Sequence, residues 1–491
     1  MRGVDKLCWI ILCLGIVLLS SCCSKKNLSS FSKRTLNPLQ FGLNETCTGV
    51  DCYYILQRTH KEASRLGVGV SYAGIKEIEL DIPSDAQSIP LTQYTDFAGV
   101  TFKVKNTQKN FHLFSLTDKL KPVMVDGKDI DHRDFSQNPV LRKGKKLLVI
   151  SDKTPWVENR TGYNYGATRK DIMLVKNGKS VNGTVQSYCT SASAPECHYC
   201  EPETAKKVIK NINFYRTSNS TKKTYFIRIE NQYNVELSKV NITTPDGSGL
   251  YADKAIEILN CVDVTLEEVT INGTYSLPKQ YGYGVAMNNI YDLKVKDMFA
   301  RANWGVFGDN NIHNAVLINC DINRFDIHCY GKDVSFENCN FVDFYNQFSS
   351  LYGVVSFNNC SFTKFTPLLI EGTYNAFTAF DVVFENCTFN LDKNHSSIFK
   401  ISGFNKQENS RRELKEKCLP NIAMKNCRVN CSKGMKEWFV YNTNNISDYE
   451  GRFSYISNVR IEGLSTNVKP EAMNVFSKSI NTSNLIQVVV N

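Results

Sequence analysis

The chain has 491 residues, 42% of them hydrophobic and 22% charged, with 18 cysteines and a formal charge of +10. That length exceeds one ordinary compact core and suits a repeat architecture or two to three domains, while an aromatic share of 11% excludes a disordered chain. The balance of 58 Lys and Arg against 48 Asp and Glu permits attraction of an acidic glycan and equally describes an ordinary solvated surface.

Residues 7–19 (LCWIILCLGIVLL) form an apolar run of 13 residues. A membrane-spanning helix needs roughly 20. Behind Arg2 and Lys6 the run reads as a signal peptide over residues 1–21. It ends in Leu19-Ser20-Ser21-Cys22, which is similar to a bacterial lipobox, so Cys22 is expected to become the first mature residue and to carry a lipid. Residues 22–45, rich in Ser, Lys and Asn, then serve as a tether. The expected location is the bacterial cell envelope, lipid-anchored at the outer membrane. Both its periplasmic and its surface side stay open, because Ser24-Lys25-Lys26 follows the cysteine where surface export in such bacteria favours acidic residues. Export also permits disulfides, and Cys47/Cys52 and Cys189/Cys197/Cys200 lie in loop-like sequence suited to them. The second group can be drawn as a zinc site, but it lacks a second well-spaced pair.

Residues 53–66 (YYILQRTHKEASRL) are amphipathic and predict a helix, followed by strands at 75–80 and 98–104. We read 46–105 as an N-terminal cap and first coil. Residues 106–210 are strand-rich but out of period, which predicts an insertion or subdomain. Residues 211–435 carry a recurring pattern, and 436–491 complete the chain as C-terminal coils and a cap. The pattern reads VELSKVNI at 235–242, VTLEEVTI at 264–271, VSFENCNF at 334–341, VSFNNCSF at 355–362 and VVFENCTF at 382–389. Each copy is a short strand of period-two alternation. Its sixth position is Val240, Val269, Met298, Cys320, Cys339, Cys360, Cys387 and Cys427, at spacings of 29, 29, 22, 19, 21, 27 and 40 residues. A strand repeat of that period predicts a β-solenoid whose coils keep their size while loops grow at the corners. Residues 407–417 (QENSRRELKEK) predict a charged helical excursion from the longest coil.

Two asparagine columns accompany the repeat: Asn319, Asn338, Asn359, Asn386 and Asn426 before the sixth position, and Asn231, Asn260, Asn289 and Asn311 nine residues before it. Asparagine tolerates left-handed turns, and stacked at the strand spacing its amides form hydrogen-bonded ladders. The five cysteines of the sixth position then read as free, small core side chains. Asn-x-Ser/Thr triplets at Asn159, Asn182, Asn219, Asn241, Asn272, Asn394, Asn445 and Asn481 would suit a secreted eukaryotic glycoprotein. The same triplet at Asn359 and Asn386 falls on the ladder, where a glycan does not fit.

These strands, the aliphatic and cysteine stack and the Asn ladders resemble the right-handed parallel β-helix, the pectate-lyase-like superfamily. The resemblance is strong over about 225–435 and implies an all-β solenoid with an N-terminal capping helix. SIPLTQYTDFAGVTFKVKN, WGVFGDNN and RFDIH also resemble a group of secreted β-helix lipoproteins of Bacteroides-type bacteria, whose activity the resemblance does not settle.

The densest polar constellation comprises Arg301, Asn303, Trp304, Asp309, Asn310, Asn311 and His313, followed by Arg324, Asp326 and His328. In the last triple polar and apolar residues alternate, so on a strand all three share one face. Cation, carboxylate and imidazole together suffice for proton abstraction or glycosidic cleavage. Counting from Cys339 aligns Asp326 and His328 with the core residues Ile227 and Ile229, whereas a one-residue shift turns the triple outward; both registers stay open. Asp309 and Asp326 on neighbouring rungs are expected roughly 5–10 Å apart, a range covering both glycosidase geometries. A lyase would instead use Arg324 or Ca²⁺ to neutralise a uronate and His328 to take its proton. No aspartate cluster at lyase spacing supports calcium, and no other cofactor or metal is expected. Trp304, Tyr281 and Tyr283 are candidates for stacking on sugars, with Asn310 as a further substrate contact, and Trp156, Arg160 and Tyr163 form an additional group. A structural salt bridge and corner packing are the plain alternatives for these side chains. Nothing in the sequence points to a nucleotide or a nucleic acid.

The expectation is a cell-envelope lipoprotein acting on a polysaccharide, acidic or neutral, as lyase or glycoside hydrolase. Asp309, Arg324, Asp326 and His328 are its candidate catalytic residues. The alternative is a non-catalytic glycan-binding or surface-interaction β-helix, with a purely structural spacer behind it.

Overall fold

The computed structural model describes residues 34–44, 47, 49–107, 110–157, 167–182, 195–216, 224–243, 255–272, 283–301, 305–328, 331–343, 345–348, 351–371, 378–392, 397–402, 420–433, 440–442, 457–467 and 486–490. The signal peptide, Cys22 and its tether up to residue 33, Arg160, Tyr163, Cys189, Tyr281, Asn303, Trp304 and the 407–417 segment lie outside the described residues.

The chain is a right-handed parallel β-helix. Helix Val50–Leu66 closes its first coil, burying Cys52, Tyr53, Leu56, His60 and Ala63 and ending at Gly67 in the left-handed conformation (φ 66°). From Gly69–Ser71 onward the coil strands pair in parallel, each with the next turn of the chain, along three faces. The first face carries Phe111–Thr117, Thr224–Glu230 and the starts of Ile256–Asn272, Tyr283–Lys296 and Gly305–Ile318. It continues through Phe325–Ile327 and Tyr345–Gln347. The second and third faces follow in each coil, as in Val235–Ser238 and Val240–Thr243 on the rungs of Val264–Glu267 and Val269–Asn272. The helix therefore reaches well beyond the stretch in which its repeat is strongest in sequence.

Both asparagine ladders form. At the corner between the first and second faces Asn260, Asn289 and Asn311 each donate an amide N–H to the residue one rung earlier, at 3.0, 2.9 and 2.7 Å. At the next corner Asn338 and Asn359 do the same, at 3.2 and 2.7 Å. All have φ between 50° and 62°, a conformation in which asparagine is among the least strained of the non-glycine residues. Inside, Phe336, Phe357 and Phe384 stack with centroids 4.7 and 4.9 Å apart, and Phe341, Phe362 and Phe389 at 5.1 and 5.0 Å. Each buried ring contributes about 1.5–3 kcal/mol. Cys320, Cys339, Cys360, Cys387 and Cys427 are buried free thiols lining the same interior.

A second sheet, antiparallel, is built from Lys121–Val123, Lys145–Val157, Ala167–Lys176, Lys179–Ser180 and Glu196–Cys200. The insertion is thus narrower than 106–210: Phe111–Thr117 and Lys207–Arg216 alternate like coil strands and pair as such. It docks on the first ladder, where Asn289 donates to the Asp171 carbonyl (3.2 Å) and Asn311 to that of Lys170 (2.6 Å). Leu147, Val149, Ile172 and Leu174 pack there against Val262. Of the cysteines expected to pair in disulfides, Cys189 lies outside the described residues, and the Cys47 and Cys52 thiols are within hydrogen-bond reach of each other. Cys47, Cys52, Cys197 and Cys200 are free thiols; Cys52 lies on the capping helix, and Cys197 and Cys200 enter separate apolar clusters on one strand.

Candidate functional site

Parallel pairing turns the first face into a grid. Ile227, Ile256, Val285, Phe307 and Phe325 form one inward column, and Ile229, Ile258, Met287 and Ile327 the next, with the Asp309 backbone in register with Met287 and Ile327. Between them runs an outward column of Arg228, Glu257, Ala286, Gly308 and Asp326. Asp326 thus stands one position away from the register obtained by counting back from Cys339. The reason is an extra residue: Asp309 and Ile312 are three apart, whereas their partners Ile327 and Gly331 are four apart. The shift turns Asp326 to the outer side of the sheet. Yet Arg324 and Asp326 are only 1% and 0% exposed. They face outward and are covered by other side chains.

The cover begins with Tyr283. A Cβ on Gly308 would lie 2.2 Å from the Tyr283 ring, so the missing side chain lets that ring lie flat across the rung. The Tyr283 hydroxyl thereby reaches Asp326 Oδ2 (3.1 Å) and His328 Nε2 (3.2 Å), and His328 Nε2 is 3.3 Å from the same carboxylate oxygen. Beneath, the Arg324 guanidinium is ion-paired with Asp326, lies 4.5 Å from the Tyr345 ring centroid and donates to Gln347 Oε1 (3.1 Å). The Gln347 backbone N–H donates to Asp326 Oδ1 (3.0 Å). Burial pushes the Asp326 carboxyl up, but Arg324 and His328 outweigh it and hold it below the usual carboxylate range. Burial works against the Arg324 charge too, and Asp326, Tyr283 and Tyr345 more than restore it. The result is a locked ion pair under a half-buried phenol and imidazole.

The other candidates disperse. The backbone of Asp309 pairs with that of Ile327, one register position from Asp326. Asn310, half-buried, stands one residue past that pair, on the rung next to His328, with Asn288 beside it. Arg301 makes a bidentate pair with Asp321 at 2.7 Å, away from the first face. Asn311 belongs to the ladder. His313 is buried under the insertion, stacked on Tyr291 and 2.8 Å from Asn311 Oδ1, and burial lowers its pKa to about 3. Because the Asn311 amide nitrogen already donates to Asn289 and Lys170, its oxygen is the acceptor and His313 carries its proton on Nε2. Trp156 falls on the insertion strand Lys145–Val157. Among the described residues no three His, Cys, Asp or Glu side chains gather as a metal site. Sequence reading missed Gln347, Tyr345 and the role of Gly308, all of which depend on which residue lies one coil away.

No protein-family model and no curated protein matches the chain. Among solved structures it is similar to the tailspike gp49 of Pseudomonas phage LKA1, at 10% identity and a TM-score of 0.55, with 93% of this chain and 78% of that one covered. It is also similar to the tailspike gp61 of Pseudomonas phage phi297, at 11% identity and a TM-score of 0.53, covering 86% and 69%. At such identity the likeness concerns the fold, and it agrees with the parallel β-helix described above.

Proposed function

We propose that the protein is a cell-envelope lipoprotein, anchored through Cys22, that cleaves a uronate-containing polysaccharide by β-elimination on the first face. One observation carries the reading: the Tyr283 hydroxyl and His328 Nε2 lie 3.2 Å apart on the outer side of the sheet, above a buried Arg324–Asp326 pair. Phenol and imidazole are the proton-transfer groups that a sugar on this face meets, while the carboxylate beneath them is committed to Arg324. Inverting and retaining hydrolases need two carboxylates about 5–9.5 Å apart that are free to act, and the Asp326 carboxylate is held in its ion pair with Arg324.

In the proposed reaction neutral His328 takes the proton next to the uronate carboxyl, and Tyr283 gives its proton to the departing glycosidic oxygen. The carbon–oxygen bond breaks as a carbon–carbon double bond forms, leaving one unsaturated and one ordinary chain end. The proton on His328 returns to Tyr283 through their contact. Asp326 orients Tyr283 by accepting from its hydroxyl, and accepts from His328 Nε2 once that nitrogen has taken the proton, and the amides of Asn310 and Asn288 supply hydrogen-bond donors to the substrate carboxylate. The test is product analysis over a panel of acidic polysaccharides. Unsaturated ends are expected, and saturated reducing ends alone would replace the lyase by a hydrolase. His328→Ala and Tyr283→Phe are each expected to lower turnover by about 10²–10⁴-fold with little change in KM. A second reading, a non-catalytic binding face, is favoured by the complete burial of Asp326. It predicts binding without products, unaffected by His328→Ala.

A further inference from the structure

The link between the first rung of the solenoid and its capping helix brings two thiols together. Strand Thr35–Leu36 pairs with Gly69 and Val70, and the turn Pro38–Phe41 is tied to the helix by Arg58, whose guanidinium donates to the Phe41 carbonyl (3.1 Å). The chain then passes Cys47 and Gly49 into helix Val50–Leu66, which places Cys52 in the first helical turn. Gly49 has no side chain to cap that turn. Its backbone is left-handed (φ 63°) and runs so close to Asp81 that a Cβ would lie 2.7 Å from Oδ2. The start of the helix is therefore held by what flanks it. Cys52 is 1% exposed, Cys47 is half-buried against the same core, and the two sulfurs are within hydrogen-bond reach.

We infer that Cys47 and Cys52 join in a disulfide on export, and that this bond latches the capping helix onto the first coil. The inference rests on the proposed cell-envelope location, where disulfides persist. The oxidant is an oxidised dithiol carrier of that compartment. Cys47, the accessible sulfur, attacks one carrier sulfur as a thiolate, and the carrier S–S bond breaks. The carrier thiolate set free takes the Cys52 proton, and Cys52 displaces the second carrier sulfur from Cys47. One S–S bond forms and one breaks, and two electrons with two protons pass to the carrier, which leaves as a dithiol. Burial, and then the adjacent Cys47 thiol, push Cys52 up to about 12, which makes it the resolving partner and not the first to attack. Among the described cysteines all but Cys47 are buried. The column thiols Cys320, Cys339, Cys360, Cys387 and Cys427 also touch one another, but they are at most 2% exposed. Each donates its S–H to the carbonyl two residues before it, at 3.3–3.4 Å. A carrier reaches none of them.

The experiment compares the full chain reduced and after treatment with oxidised glutathione, with free thiols trapped by a maleimide in the unfolded state before peptide mapping. A Cys47–Cys52 link is expected, with the column thiols still alkylated. The bond is expected to slow hydrogen exchange about tenfold at the amides of Tyr54 and Ile55, the first to be bonded within the helix. Cys47→Ser is expected to abolish both the link and the slowing, and Cys52→Ala to do the same from the buried side. Both thiols alkylated after oxidation, glutathione retained on Cys47, or a link to another cysteine overturns the latch. A bond that leaves exchange unchanged overturns it as well. Protein recovered from the envelope of expressing cells is expected to carry the bond already. Free thiols there, in a chain that glutathione does oxidise, overturn formation on export and the location it rests on, while the β-elimination at Tyr283 and His328 is tested apart, by its unsaturated ends.

Discussion

Asp326 and Arg324 show how little a charged pair reveals about itself until its surroundings are known. Their burial makes them interdependent: Asp326→Ala strands a guanidinium in a dry site and is expected to cost about 3–5 kcal/mol, read from urea denaturation. Replacing both together with Leu and Met is expected to restore most of that stability while abolishing turnover, since His328 and Tyr283 lose the oxygen that orients them. Gly308→Ala is the sharper probe of the site. A methyl there collides with the Tyr283 ring, so the ring is displaced, and activity is expected to fall at least tenfold for about 1–3 kcal/mol of destabilisation. That the alternating triple at 324–328 shares one face of a strand was readable from residue type and spacing alone. The direction in which it points was not, because that depends on one extra residue between Ile327 and Gly331 and on side chains contributed by other coils.

At the level of elements, the ladders are the clearest case of sequence translating directly into structure. Asn289 illustrates the energetics: it donates to Asn260 and Asp171 and accepts from Asn311, with φ at 62°. Asn289→Ala removes these bonds and places a less tolerant residue in a left-handed position, with an expected loss of about 2–4 kcal/mol in thermal or urea melts. Asn289→Gly, which keeps the backbone free to turn, is expected to lose less. The repeat was legible because strand period, corner residue and core residue all recur in step. The insertion's extent was not, since Phe111–Thr117 and Lys207–Arg216 belong to the solenoid but lie too far apart in sequence to show a period. The contact of Arg228 with Glu257 and His112 was hidden for a similar reason: the three residues come from three strands and meet only through pairing.

For the whole molecule, acid is the condition that bears most directly on integrity. His60 and His313 are buried and neutral, each with its pKa lowered by burial to about 3. Between that value and the unfolded one of about 6.5 the unfolded chain binds more protons, so stability falls as pH drops through this window. Each histidine withdraws on the order of 4–5 kcal/mol by pH 3. Asp326 acts in the same direction but later, since its depressed carboxyl keeps its contribution until pH falls below about 4. His313→Gln is expected to retain about 2 kcal/mol more of its neutral-pH stability at pH 5 than the wild type does, as measured by urea melts at both pH values. His313 lies beneath the insertion, so the first event on acidification is expected to be loosening of that sheet from the ladder, visible as rising hydrogen exchange at Lys170 and Asp171. The grid of the first face has one last consequence. Tyr283, Gly308, Asp326 and Gln347 come from four successive turns of the chain, and pairing between strands, with no reference to what joins them, sets their spacing. Loops at the corners can therefore lengthen, shorten or be exchanged without disturbing the reacting groups, which makes the architecture a fixed keyboard with a replaceable rim. Deleting a whole turn, by contrast, transposes every partner by one row and silences the site at a stroke.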